Sequence, residues 1–171
     1  MSQPFDFYDV SILPILRNLA TTQSTLRKAQ ESTLAPTLPQ SRLIDDMYPL
    51  TTQIHIIADN AATVVSKITG DKPIEWVRED IKTFEHMQDA LATATQEVEK
   101  LDRETVNSAV GKMVGVAWSE DKPMEIKMTD YIALMLPNMN FHVVTVYNIC
   151  RKEGVELGKR DYMGAYVKHL L

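Results

Sequence analysis

Apolar residues in this chain recur every three to four positions over four long stretches, with proline-bearing or polar links between them, a period that belongs to helices packed side by side. The first stretch sets Leu13, Leu16, Ala20, Leu26 and Ala29 on one stripe. Its helix is predicted to start after Ser11, with Pro14 in the opening turn, where a missing N–H does no harm. The run from Thr33 to Pro39 reads as a linker, after which Asp46 has the character of an N-cap, with Pro49 again in a first turn. Leu50, Gln53, Ile57, Ala61, Val64 and Ile68 then keep helical spacing until Gly70. A third helix carries Ile81, Phe84, Leu91, Ala94, Val98 and Leu101. Between Lys112 and Met128 the period drops to two, with Val114, Val116 and Trp118 followed by Met124, Ile126 and Met128, which predicts a hairpin turning through 119–123. Thr129 is placed to cap a last helix from Asp130 to about Glu153, ended by Gly154 and interrupted by Pro137.

The expected fold is therefore all-α, a four-helix bundle with a short β-hairpin before the last long helix. With 171 residues and 44% hydrophobic content, residues 1–171 suit a single domain with a real core. The net charge of -5, with both signs interspersed, argues against a nucleic-acid partner. No apolar run reaches membrane-spanning length, and the first residues lack a secretory pattern, so a cytoplasmic protein without a membrane partner is expected. Cys150 is the single cysteine and suits a small buried thiol better than a nucleophile.

Chemistry concentrates in the last helix. Asn138 and His142 lie one turn apart on an otherwise apolar stripe with Val146, and Gln53 is the polar exception on the second helix. Inward side chains from facing helices are where bundles build ligand sites, so Gln53, Asn138 and His142 are the candidate catalytic residues, forming the floor of a small-molecule cleft. A structural histidine in a polar network that fixes helix register is the competing reading. His55 and Asp59, four apart on another face with Tyr48 nearby, are weaker metal-ligand candidates alongside His142. His86 and His169 are expected in solvent. The tail Gly158-Lys159-Arg160-Asp161-Tyr162 is expected to fold back as a clasp, its cations pairing with Asp45, Asp46 or Glu153.

Three motifs together resemble a family of the DinB-like, or YfiT-like, helical-bundle superfamily over nearly the whole chain. They are Asp46-Met47-Tyr48-Pro49-Leu50-x-x-Gln53, Pro137-Asn138-x-x-Phe141-His142-x-x-Thr145-x-Tyr147-x-x-x-Arg151, and Gly154-Val155-x-x-Gly158-Lys159-x-Asp161-Tyr162. The resemblance implies a four-helix bundle, often a homodimer, with a cleft that in many members holds a divalent metal on three histidines, one from the second helix and two, four apart, from the last. Here Gln53 stands at the second-helix position, and the positions four from His142 are Asn138 and Val146. Amide oxygens are weak ligands, so the triad reads as degenerate, which leaves the cofactor open between none and a divalent metal. The functions this leaves are an isomerase, lyase or transferase using His142 for proton transfer, a non-catalytic ligand- or partner-binding bundle, or a metal-dependent hydrolase or thiol transferase.

Overall fold

Two devices at the N-terminus start the first helix earlier than the periodicity suggests. Asp6 accepts from the backbone N–H of Asp9, and the Asp9 carboxylate accepts from the N–H of Asp6, a reciprocal capping box that begins α1 (Phe7–Glu31) four residues ahead of Ser11. Pro14 therefore lies inside α1 instead of in its first turn. In the computed structural model, which describes residues 4–117 and 123–168, the remaining elements are α2 (Leu50–Thr69), α3 (Phe84–Glu99), α4 (Arg103–Ser108), β1 (Met113–Ala117), β2 (Pro123–Lys127), α5 (Met128–Glu153) and α6 (Lys159–Val167).

Local chemistry sets most of the boundaries. Asp46 does not cap α2; Pro49 occupies the cap position in extended conformation, because a residue preceding proline is pushed out of the helical region and Tyr48 cannot open the helix. Thr83 caps α3 at Phe84, so Ile81 lies outside that helix, after a 3₁₀ turn at Arg78–Asp80. Asp102 accepts from the N–H of Thr105 and starts α4, a separate short helix that the apolar spacing does not reveal. At the head of α5, β2 runs straight into the helix at Met128, and Lys127, not Thr129, holds the cap position. Gly70 and Gly154 end α2 and α5 as expected, both in the left-handed region at φ 92° and 104°, where a Cβ would be strained.

In the bundle, α2 packs against α3 and α5, α1 packs against the same two, and α1 and α2 barely touch, so the helices stand in the ring order α1, α3, α2, α5. Ile12, Leu19, Leu26, Leu50, Ile54, Ile57, Met87, Leu91, Met139 and Val146 fill the space between them. The hairpin pairs β1 and β2 antiparallel, Val114 opposite Ile126 and Val116 opposite Met124. Val114 is buried, whereas Met124 is half exposed; Pro123, expected in the turn, opens β2 instead, and Trp118 and the rest of the expected turn lie outside the described residues.

Two polar clasps close the bundle. Arg103 donates to Asp6 at 2.6 Å and to both oxygens of Asp9 at 2.8 and 3.0 Å, tying α4 to the start of α1, and its guanidinium covers the Tyr8 ring. Desolvation alone would raise the Asp6 carboxyl, but hydrogen bonds from Arg103 and Asn107 hold it, like Asp9, below the ordinary carboxylate range. At the other end, the tail forms α6 and lies along α1. Its ion pair is formed by its acid, Asp161, with Lys28 at 2.6 Å, rather than by the expected pairing of its cations with Asp45, Asp46 or Glu153. The hydroxyl of Thr21 donates to the carbonyl of Tyr162 at 3.0 Å, and the Tyr166 hydroxyl donates to Asn18 Oδ1. Asn18, fully buried, donates in turn to Asn140 Oδ1 of α5 at 2.7 Å, so one amide joins α1, α5 and α6.

Candidate functional site

The α2–α5 interface brings Gln53 and His142 together. Both are buried, and the ring Nδ1 of His142 lies 2.7 Å from Gln53 Oε1. On its other side the Gln53 amide nitrogen donates to the backbone carbonyl of Tyr48 at 3.0 Å. A carbonyl can only accept, so this contact fixes which end of the amide faces the histidine. The oxygen faces the ring, Nδ1 carries the proton, and the lone pair of the neutral imidazole is on Nε2. Sequence periodicity placed both residues on inner stripes, but this chain of three groups, fixed by a backbone carbonyl in the 41–49 segment, follows only from the fold.

Burial pushes the His142 pKa below its ordinary value, and no charged group contributes. That isolation has a sequence basis: no Asp, Glu, Lys or Arg occurs from Tyr131 to Cys150, and Asp59 is the single such residue from Leu50 to Ser66. The linkage sign follows. The unfolded chain takes up a proton on this histidine below about pH 6.5 while the folded site resists it, so its stability is complete above that pH and declines as pH falls through the folded pKa. The depressed carboxyls of Asp6, Asp9 and Asp161 lose their contribution only lower, below about pH 4. Calorimetric Tm against pH is expected to show two separate declines, with the upper one missing in His142→Gln; a single acid decline in both proteins would refute the assignment.

Asn138 does not join the pair. It is exposed, and no hydrogen bond links it to His142 or Gln53. A residue four positions back on an α-helix is rotated by about 40°, which here carries Asn138 toward the exposed flank with Leu134 and Phe141. It stands one turn from the histidine, on the solvent side. Val146, one turn in the other direction, is fully buried.

His55 and Asp59 form a separate group. His55 Nε2 is 3.0 Å from the carbonyl of Trp76, so that nitrogen donates, and the opposite nitrogen, Nδ1, is buried without a partner. Burial raises the Asp59 carboxyl against the pull of His55, and Glu75 adds to the rise. Tyr131 nearby is pushed up to about 12 by burial and by the Asp59 charge. The metal-ligand set His142, His55 and Asp59 is not assembled, because His142 is turned to Gln53 and His55 to Trp76. Among the described residues, no three His, Cys, Asp or Glu side chains come together as a metal-binding group. The donors therefore do not fit a three-imidazole centre, since Gln53 is an amide already engaged at both ends and the positions four from His142 hold the exposed Asn138 and the aliphatic Val146. Cys150 is buried with its thiol pushed up to about 12 by desolvation, as expected of a core residue. His86 is exposed, its Nδ1 accepting from the N–H of Lys82; His169 lies outside the described residues.

No described helix is long and apolar enough to cross a membrane. The fold is DinB-like: a crystal structure of a DinB family member protein from Shewanella denitrificans superposes with a TM-score of 0.79 over 92% of this chain and 91% of that one, at 23% sequence identity. No curated protein matches the sequence closely enough to count as a relative. The family model described as "Domain of unknown function (DUF1993)" matches residues 7–163, and the chain belongs to that family.

Proposed function

We propose that His142 is the proton-transferring group of a small-molecule enzyme, of isomerase, lyase or transferase type, with Gln53 as its positioning residue. The observation that carries this reading is the fixed tautomer. A neutral imidazole whose Nδ1–H is held by an amide offers its Nε2 lone pair to a substrate proton, and a lowered pKa keeps that lone pair free at neutral pH. Gln53 then holds the ring in place through the proton transfer without donating charge. Asn138, one turn away in solvent, is positioned to hydrogen-bond a carbonyl or hydroxyl of a molecule entering from that side. No metal enters this mechanism.

The test is a screen of carbonyl and hydroxyl compounds for turnover, run on the parent and on His142→Ala. The expected result is helical content unchanged by circular dichroism and turnover lost by a factor of about 10² to 10⁴, the usual worth of a general base. Unchanged turnover in His142→Ala would overturn the proposal. The depth of the pair favours one other reading, a non-catalytic bundle in which Gln53 and His142 fix the register of α2 on α5. In that case His142→Ala lowers Tm and removes no reaction.

A further inference from the structure

The link between α1 and α2 shapes a groove over the helix that carries His142. Those two helices stand diagonal in the ring, so the chain joining them has to cross one of the helices between them. It crosses α5: Lys152 donates to the carbonyl of Arg42 at 2.9 Å, and Leu43 and Met47 share with Pro137, Phe141 and Val144 the walls of a groove of about 490 Å³. The same strap supplies the Tyr48 carbonyl that orients Gln53. His142 lies behind one wall, since the Phe141 ring stands edge-to-face to the imidazole with centroids 5.4 Å apart. Among the described residues, no charged side chain lines the groove. Its polar groups are two amides and a hydroxyl, and the bonds they already make decide what each has left to offer. Asn140 Oδ1 is taken by the buried Asn18 amide at 2.7 Å, so Asn140 presents its amide N–H groups. The Thr145 hydroxyl gives its hydrogen to the carbonyl of Phe141 at 2.7 Å. Asn148, half-buried, makes no hydrogen bond among the described residues.

We infer that this groove is the substrate site of the His142 centre, that its substrates are uncharged and largely apolar carbonyl compounds, and that Asn140 recognises the carbonyl oxygen. The inference deepens the proton-transfer reading and rests on it for calling the occupant a substrate; the selectivity of the groove does not depend on that reading. A carboxylate, phosphate or ammonium entering the groove would shed hydration and meet no opposite charge, whereas an apolar body gains by leaving water. A carbonyl oxygen can only accept, and it matches the donor that Asn140 has left. Asn18, fully buried, holds that donor in place from within the core. The volume of the groove falls within the ~300–1,000 Å³ of small-molecule sites, which likewise combine apolar walls with a few placed polar groups.

Three probes of one shape test this on the full chain, each titrated into isotope-labelled protein while amide and methyl resonances are followed. They are acetophenone, ethylbenzene, which lacks the carbonyl, and 4-acetylbenzoate, which adds a charge. Acetophenone is expected to shift the Asn140 side-chain amide and the Met47 methyl, and to bind roughly three- to tenfold more tightly than ethylbenzene, the worth of one net hydrogen bond. 4-Acetylbenzoate should bind at least about tenfold more weakly than acetophenone. In Asn140→Asp, where Asn18 keeps its acceptor and the N–H donor is gone, the preference for acetophenone over ethylbenzene should vanish. Equal binding of ketone and hydrocarbon by the parent, tighter binding of the carboxylate, or a preference that survives Asn140→Asp would overturn the inference. So would the absence of shifts in the groove, the result expected if another chain covers it. The three probes on the parent decide even where Asn140→Asp does not fold. The two readings fail separately: selective binding of acetophenone in a protein that turns over no carbonyl compound sinks proton transfer and leaves a ligand site, whereas turnover lost in His142→Ala without binding in the groove sinks the groove alone.

Discussion

Gln53→Leu is expected to lower stability by roughly 1.5–4.5 kcal/mol, because it leaves the buried Nδ1–H of His142 without an acceptor, at about 1–3 kcal/mol, and removes the part-buried hydrogen bond to the carbonyl of Tyr48, at about 0.5–1.5 kcal/mol. For a chain of this length that corresponds to a fall in Tm of about 5–15 °C. Volume is nearly conserved, so the loss measures the polar chain itself. The companion variant Gln53→Glu separates packing from electrostatics. A carboxylate in place of the amide favours the charged imidazolium, so the His142 pKa should rise above its unfolded value instead of lying below it. The sign of the linkage then reverses: the histidine contributes stability below about pH 6.5 and loses it as pH rises through the new folded pKa. Nuclear magnetic resonance titration of the ring reads the shift directly, and a pKa that stays below the ordinary histidine value in Gln53→Glu would mean that the two side chains are not bonded in solution.

Asn18→Ala is expected to cost a similar amount, and to act at a distance from the residue it changes. The Asn18 side chain donates to Asn140 on α5 and accepts from Tyr166 on α6, so its loss removes two hydrogen bonds and leaves a small cavity among three helices. Roughly 1–3 kcal/mol follows, at about 0.5–1.5 kcal/mol for each hydrogen bond lost, since water reaches the exposed Asn140 and the half-buried tyrosine. None of the α6 residues is fully buried, so that helix depends on such point contacts: Tyr166 to Asn18, Tyr162 to Thr21, Asp161 to Lys28, and the edge of the Tyr162 ring on Tyr147. In the variant α6 should come free before the bundle melts, seen as rapid proteolysis after Gly158 while the helices of the core resist. Cleavage at the parental rate would show that the remaining contacts suffice.

How far the sequence could be read follows from the kind of signal at each place. The four long helices were legible because burial of one face imposes a period of three to four over sixteen or more residues, a signal that survives several exceptions. Gly70 and Gly154 were legible as stops, since a helix that turns left-handed at its end favours glycine. The starts were harder to read. The capping box at Asp6 lies ahead of the apolar stripe, and α4 spans six residues, too few for a period. Gln53 and His142 were recognisable as polar residues on inner stripes, yet nothing in one dimension indicated that they face each other; Asn138 had the same sequence credentials and stands in solvent. Arg103, which pairs with both Asp6 and Asp9, carried no signal beyond its type, because its partners lie 94 and 97 positions away.

The sequence by itself determined what depends on local spacing and composition: a helical bundle with one hairpin, the helix stops, a single buried thiol, and a stretch without charge from Tyr131 to Cys150 within the last long helix. Tertiary structure alone decided what depends on which helix faces which. It set α1 diagonal to α2, turned His142 toward Gln53 and away from His55, chose the Nδ1–H tautomer through the carbonyl of Tyr48, and laid α6 on α1 through Asn18. The reason is that helical periodicity fixes only a direction around each helix axis, to within about 100° per residue. Whether a polar group on that side finds an amide, a carbonyl or water is settled by the neighbouring helix, and that neighbour is chosen by the packing of the whole core.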